Sequence, residues 1–114
     1  MPAKTLFEKI IGRELPATIV YEDDQCVAFK DINPGAPTHL LLVPRKPLPM
    51  LSDARAEDQM MLGHLMLTAS KIAQQHGCGD AYRLIVNNGA AAGQSVFHLH
   101  LHILGGRPMK WPPG

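Results

Sequence analysis

The stretch Ser95–Gly106, SVFHLHLHILGG, sets histidines at 98, 100 and 102 with one leucine between each pair. In an extended strand successive side chains alternate between the two faces. Phe97, Leu99, Leu101 and Ile103 are therefore expected on one face, and His98, His100 and His102 on the other. The apolar face has a ready use, covering a core beneath a helix. Three imidazoles in a row need another explanation, because covered donors and acceptors must find partners.

Working outward from that strand, GAAAGQS (89–95) reads as a loop of small residues and AYRLIVNN (81–88) as a second strand. Upstream, Met61, Leu62, Leu65, Met66, Ala69, Ile72 and Ala73 recur at helical spacing, predicting a helix over about 54–76. Ser52 or Asp53 is expected to cap it, Glu57 and Asp58 suit the positive end of its dipole, and Gly77 and Gly79 stop it. THLLLVPR (38–45) predicts a strand ended by Pro44, and INPGAP (32–37) a turn. ATIVYEDDQCVAFKD (17–31) reads as a hairpin around Glu22–Gln25. TLFEKIIG (5–12) carries a Thr5/Glu8 capping box and predicts a short helix ending at Gly12.

The order is α-β-β-β-α-β-β. Most connections are too short for parallel crossovers, so the prediction is an α+β fold with an antiparallel sheet. At 114 residues the chain has room for one domain, 1–114, with one core.

Apolar residues make up 46% of the chain and charged residues 18%, an ordinary globular balance. A net charge of +1 gives no electrostatic draw toward nucleic acid or an anionic membrane. The first 14 residues, MPAKTLFEKIIGRE, mix charges among apolar residues, unlike a signal peptide, and no apolar run is long enough to span a bilayer. Cys26 and Cys78 lie far apart without a CxxC pairing and read as free thiols of a reducing compartment, with a single disulfide the weaker alternative; with no signal peptide or membrane span read, a cytoplasmic address is expected.

The histidine triplet admits three readings. A solvated face would need no further chemistry, but strict alternation with no other polar residue type argues against it. A metal site must contend with spacing: same-face neighbours lie ~6.6 Å apart and Zn–N bonds are ~2.0–2.1 Å. Two adjacent histidines can share an ion; a third ligand would come from another strand, with His39 the best candidate. In the third reading a neutral imidazole attacks phosphorus, dividing one displacement into two. The small-residue loop just before the strand could bring backbone N–H groups close to a phosphate. It lacks the Gly-Lys-Ser/Thr of an NTPase loop.

QSVFHLHLHILGGRPMKWPPG (94–114) resembles the histidine triad (HIT) superfamily motif, and in particular its Hint branch of purine nucleoside phosphoramidases. The likeness runs nearly end to end, through DINPGAPTH (31–39) and YRLIVNNG (82–89). It implies a HIT-like fold: a five-stranded antiparallel sheet with one long and one short helix, continued across a homodimer. It also implies hydrolysis of nucleoside 5′-phosphoramidates through a nucleotidyl-histidine intermediate on His100, with no cofactor and no metal. An imidazole near its usual pKa of ~6.5 is largely neutral at pH 7, and a neighbouring imidazolium is the expected donor to the departing amine.

By the same resemblance, His102, Ser95 and the backbone at Gly93 and Gln94 contact the α-phosphate, with Asn87 beside them. Asp31 takes the ribose hydroxyls. His98 and His39 support, orient or relay protons. Phe7, Ile10, Phe29, Ile32 and Leu41 form the purine slot, and Trp111 reaches toward the partner subunit's site. The partners implied are a purine nucleotide such as AMP and a second copy of the chain. Gly35 stands where relatives carry a longer side chain, and Lys110 precedes the tryptophan; the latter bears on leaving-amine preference. Dinucleoside polyphosphate hydrolysis or nucleotidyl transfer is the neighbouring activity in the superfamily, and a nucleotide-binding scaffold is the rival from another class.

Several of these residues have plainer readings. Asp31 is also a good turn residue, Asn87-Asn88 before Gly89 a turn signal, and the apolar set ordinary core. Trp111 would serve equally as a tail packed on its own subunit. His64 and His76 fall on the long helix with no function assigned.

Overall fold

The computed structural model describes residues 3–114. Helix α1 (Leu6–Ile11) begins at Thr5, whose hydroxyl accepts from the Glu8 N–H while the Glu8 carboxylate accepts from the Thr5 N–H, both at 3.1 Å. The predicted capping box is therefore formed. Strands β1 (Ile19–Glu22), β2 (Cys26–Lys30) and β3 (Thr38–Pro44) follow, then helix α2 (Gln59–Gln75), β4 (Tyr82–Ile85) and β5 (Leu101–Gly105). They form a five-stranded sheet in the order β1-β2-β3-β5-β4 with every neighbouring pair antiparallel. The α+β architecture read from the sequence is the one observed.

Two apolar clusters explain why Cys26–Phe29 of β2 and Leu40–Val43 of β3 are unbroken apolar runs instead of alternating. On one face Cys26, Ala28, Leu40 and Leu42 pack with Leu65, Ala69 and Ile72 of α2 and with Leu99, Leu101 and Ile103. On the other, Val27, Phe29, Leu41 and Val43 pack with Phe7 and Ile10 of α1. Continuous apolar strands are what a sheet covered on both sides requires.

Two predictions need correction. The long helix starts at Gln59 and not near 54, because Ala54 and Arg55 are extended between two short 3₁₀ turns at Leu51–Asp53 and Ala56–Asp58. Neither Ser52 nor Asp53 caps it. Asp58, immediately before the helix, is instead buried, accepting from the Arg55 N–H at 2.9 Å and from Lys46 Nζ at 2.5 Å. The last strand begins at Leu101, not at Val96, so His98 and His100 stand on an irregular lead-in. That lead-in pairs with the segment after β3: the Leu99 N–H donates to the Leu48 carbonyl at 2.7 Å. Burial over it departs from the expected faces, since Phe97 is exposed while Leu99, Leu101 and Ile103 enter the core. His98 and His100 are buried, which overturns the solvated-face reading.

Candidate functional site

Strand register brings the histidines together. Leu41 of β3 pairs with His102 of β5, and His39 with Leu104, so His39 and His102 are diagonal neighbours on the face that carries α1. Their rings meet, with His39 Nε2 2.9 Å from His102 Nδ1. His100 stacks edge-on against His102, ring centroids 5.0 Å apart, and against Phe7 of α1 at 4.9 Å.

Each ring's proton position follows from its partner. His98 Nε2 lies 2.7 Å from the Pro44 carbonyl, which can only accept, so Nε2 carries the proton. His100 Nδ1 lies 2.7 Å from the His98 carbonyl, so the same reasoning puts its proton on Nδ1 and leaves the Nε2 lone pair free. The Gly35 N–H donates to His39 Nδ1 at 2.8 Å. His39 therefore carries its proton on Nε2, facing His102 Nδ1 and, at 3.3 Å, Asp31 Oδ2. His102 then holds its own proton on Nε2, a buried atom with no partner among the described residues.

Burial sets the charge state. It pushes His98 and His100 below the usual histidine range, against the opposing pull of the carbonyls each ring binds. Burial first, then the neighbouring His100 and His39, push His102 down to about 4. The neutral form of all three is favoured at pH 7. The imidazolium expected as proton donor is thus disfavoured at each member of the triplet.

A cleft of about 290 Å³ opens in front of these rings. Phe7, Ile10, Phe29, Ile32 and Leu41 form its apolar walls, and Asp31, Ser95, His100 and His102 its polar ones. Leu6, Pro16, Ala17, Lys30, Asn33 and Val96 also line it. No role is assigned to these six from the sequence; Leu6, Pro16 and Ala17 arrive through the packing of α1 and the 12–18 loop over the sheet, and Lys30, Asn33 and Val96 flank residues already proposed for the site.

The remaining predicted residues stand around the cleft. His39 lies behind His102, and His98 beneath His100. Gly89 and Gly93, at φ +94° and +100°, turn the small-residue loop through a conformation that suits glycine. The side-chain amide of Asn87 sits where a Cβ on Gly93 would be in van der Waals contact. The Gln94 side chain is turned away as a buried brace. It accepts from the Gly89 N–H at 2.8 Å and donates to the carbonyls of Pro49 (2.8 Å) and Val96 (3.0 Å). Trp111 is exposed and does not line its own chain's cleft.

Two groups of three potential metal donors occur among the described residues, Asp31/His39/His102 and Asp23/Cys26/His64. In the first, His39 Nε2 and His102 Nδ1 are committed to each other. In the second, Asp23 Oδ1 accepts from the N–H groups of Gln25 and Cys26, both at 2.8 Å. Its Oδ2 meets the Tyr21 hydroxyl at 2.9 Å and His64 Nε2 at 2.7 Å. This second cluster ties the β1–β2 turn to α2, and gives His64 a structural task. His76 Nδ1 bonds the Ile72 carbonyl at the end of α2. Cys26 and Cys78 are free and buried.

The HIT domain profile matches residues 12–109. An uncharacterized HIT-like protein of Synechocystis sp. is 64% identical over all 114 residues of both chains. The 14 kDa zinc-binding protein of Zea mays is 48% identical, covering 96% of this chain and 88% of its own. Among solved structures, a HIT family hydrolase from Legionella pneumophila superposes with a TM-score of 0.95 at 46% identity, covering 97% of this chain and all of its own. With the profile spanning most of the sequence and the fold shared throughout, the chain belongs to the HIT family.

Proposed function

We propose that this protein is a hydrolase of purine nucleoside 5′-phosphoramidates, acting through a nucleotidyl intermediate on His100. The observation that carries the reading is the His100 ring. Its Nδ1–H is held by a main-chain carbonyl, its Nε2 lone pair is free, and it lines a cleft with one apolar and one polar wall. The Legionella relative is named a hydrolase, which supports the class.

In the first step the Nε2 lone pair attacks the α-phosphorus and the P–N bond to the amine breaks. The His102 Nε2–H receives the charge that builds on the phosphoryl oxygens, beside the 89–95 loop, whose Gly93 and Gln94 N–H groups donate within the loop to the Ala90 and Gly89 carbonyls. Asn87 borders that oxygen site through Gly93. The amine must gain a proton as it leaves, and with the triplet held neutral the Ser95 hydroxyl, which lines the cleft, is the group to relay one from solvent. Water then cleaves the His100–phosphorus bond and releases the nucleoside monophosphate. The purine lies between Phe7, Ile10, Phe29, Ile32 and Leu41, and the ribose hydroxyls donate to Asp31.

The protein acts as a homodimer with a continuous sheet, bringing Trp111 to the other subunit's cleft, in a reducing cytoplasm that keeps both thiols free. The reaction needs no metal. The maize relative is named for zinc, but here the two imidazole nitrogens best placed to share an ion are bonded to each other.

The test compares turnover of adenosine 5′-phosphoramidate with that of a diadenosine polyphosphate, and quenches the reaction to trap the adduct. A faster phosphoramidate reaction and an AMP group on His100 are expected. Preference for the polyphosphate would move the protein to the neighbouring activity of the superfamily. Binding of AMP without turnover of either would leave a nucleotide-binding scaffold. Zinc bound stoichiometrically after purification, by elemental analysis, would overturn the metal-independent reading.

A further inference from the structure

We propose that the backbone amide of Gly35 is a positioning group for the reaction. It fixes the tautomer of His39, and through His39 that of His102, so that His102 presents N–H and not a lone pair beside the nucleophile. This inference rests on the proposed phosphoryl chemistry for its purpose, but its geometry and its test do not.

The chain of hydrogen bonds has one consistent proton assignment. An amide N–H can only donate, so Gly35 at 2.8 Å requires a lone pair on His39 Nδ1. The neutral His39 ring then has its proton on Nε2. That nitrogen stands 2.9 Å from His102 Nδ1, so His102 must offer a lone pair there and keep its own proton on Nε2. Without the amide, only Asp31 opposes a joint flip of the two tautomers. His39 would carry Nδ1–H and accept at Nε2, and His102 would donate from Nδ1 and leave a bare lone pair at Nε2. A lone pair there would repel a phosphoryl oxygen. The direction set in the turn at residue 35 therefore decides the sign of the interaction two rings away.

The charged and titratable groups around the chain agree with this direction. Asp31 Oδ2, 3.3 Å from His39 Nε2, is a second acceptor that favours a proton on Nε2. His100 stacks on the other side of His102, and a second positive charge beside it is disfavoured. The turn that supplies the amide is itself held from behind, because Arg107 donates from Nη2 and Nε to the Gly35 carbonyl at 2.8 and 3.3 Å. An alanine at position 35 would keep the amide, and its Cβ would meet His39 and Leu104 only at an ordinary 3.7 Å. Proline alone among the natural residues removes the donor.

The experiment reads imidazole nitrogens by ¹⁵N NMR in the full-length protein, with no substrate present, so it is independent of whether phosphoramidates are the substrate. In the wild type at pH 7, His39 and His102 are both expected as the Nε2–H form. A scalar coupling across the hydrogen bond between the Gly35 amide nitrogen and His39 Nδ1 is also expected. Gly35→Ala should preserve both signals. Gly35→Pro should give mixed tautomers at both rings; in a separate measurement that does rest on the proposed function, kcat for the phosphoramidate should fall about tenfold while AMP affinity changes less than about threefold, the split expected when a transition-state contact is lost. His102 found as the Nδ1–H form or as a cation at pH 7 would overturn the proposal, as would unchanged tautomers in a folded Gly35→Pro protein. Should that variant not fold, the wild-type coupling decides: its absence rejects the role of Gly35.

Discussion

The main-chain oxygen of His98 lies 2.7 Å from Nδ1 of His100, so one member of the triplet orients the next through its backbone and not through its ring. The His98 ring is occupied elsewhere, on the Pro44 carbonyl. The central imidazole is thereby left with a single free nitrogen.

Replacing His100 with alanine removes that nitrogen, together with the ring's hydrogen bond to the His98 carbonyl. Phosphoramidate turnover should fall by about 10³-fold or more, as loss of a nucleophile does, with an unchanged circular dichroism spectrum and retained AMP binding. Single-turnover kinetics with acid quench will read the loss of the covalent adduct. Residual turnover within about tenfold of wild type would reject His100 as the attacking group.

The buried histidines make stability depend on pH in one direction. In the unfolded chain they take up protons near their usual value of ~6.5, whereas the folded protein resists protonation, His102 down to about 4. Between these limits the unfolded state binds more protons, so acid favours unfolding. Stability should be full above pH 6.5 and decline toward pH 4. Thermal melts at half-unit steps will check this, and His102→Asn should flatten the slope.

Gln94 predicts a separation of loop geometry from chemistry. Its side chain makes three hydrogen bonds in a buried setting, and Gln94→Leu would strand the carbonyls of Pro49 and Val96 and the amide of Gly89. Denaturant unfolding should show a loss of about 1–3 kcal/mol. Gln94→Glu should be worse, since a carboxylate oxygen would then face two carbonyls.

Asp23 holds the β1–β2 turn to α2. Burial alone would raise its pKa, but the N–H groups of Gln25 and Cys26, His64 and the Tyr21 hydroxyl outweigh it and hold the carboxyl well below the usual range. Asp23→Ala should cost about 2–3 kcal/mol and lower Tm without altering the cleft. Differential scanning calorimetry alongside AMP titration would separate the two effects.

Cys26 should be chemically silent. Burial first, then Asp23, pushes its thiol up to about 12, and Cys78 is buried as well. The native protein should not react with a disulfide reagent at pH 8, and two thiols should titrate after denaturation.

Much of this was legible in the sequence because local rules and tertiary demands coincided. Thr5 and Glu8 announce α1, the β1–β2 turn lies where the polar run 22–25 put it, and nine of the proposed site residues line one cleft. Other features depend on atoms that side-chain patterns do not encode. Asp58 is claimed by Lys46, which a linear reading of helix starts does not anticipate. The strand could not begin at Val96, because Leu99 pairs with Leu48 before the sheet takes over. The proton acceptors that orient the rings, the carbonyls of Pro44 and His98, and the donor at Gly35 belong to the main chain, where residue identity carries little information.

Leu48 is flanked by Pro47 and Pro49, and its neighbourhood supplies oxygens to both Leu99 and Gln94. Two fixed ring torsions therefore stiffen the ledge on which the reactive lead-in rests. On the proposed reading, alignment of the His100 ring is inherited from a proline-framed rail nearly fifty residues before the histidine triplet, and substitutions there would be felt at the cleft without lining it.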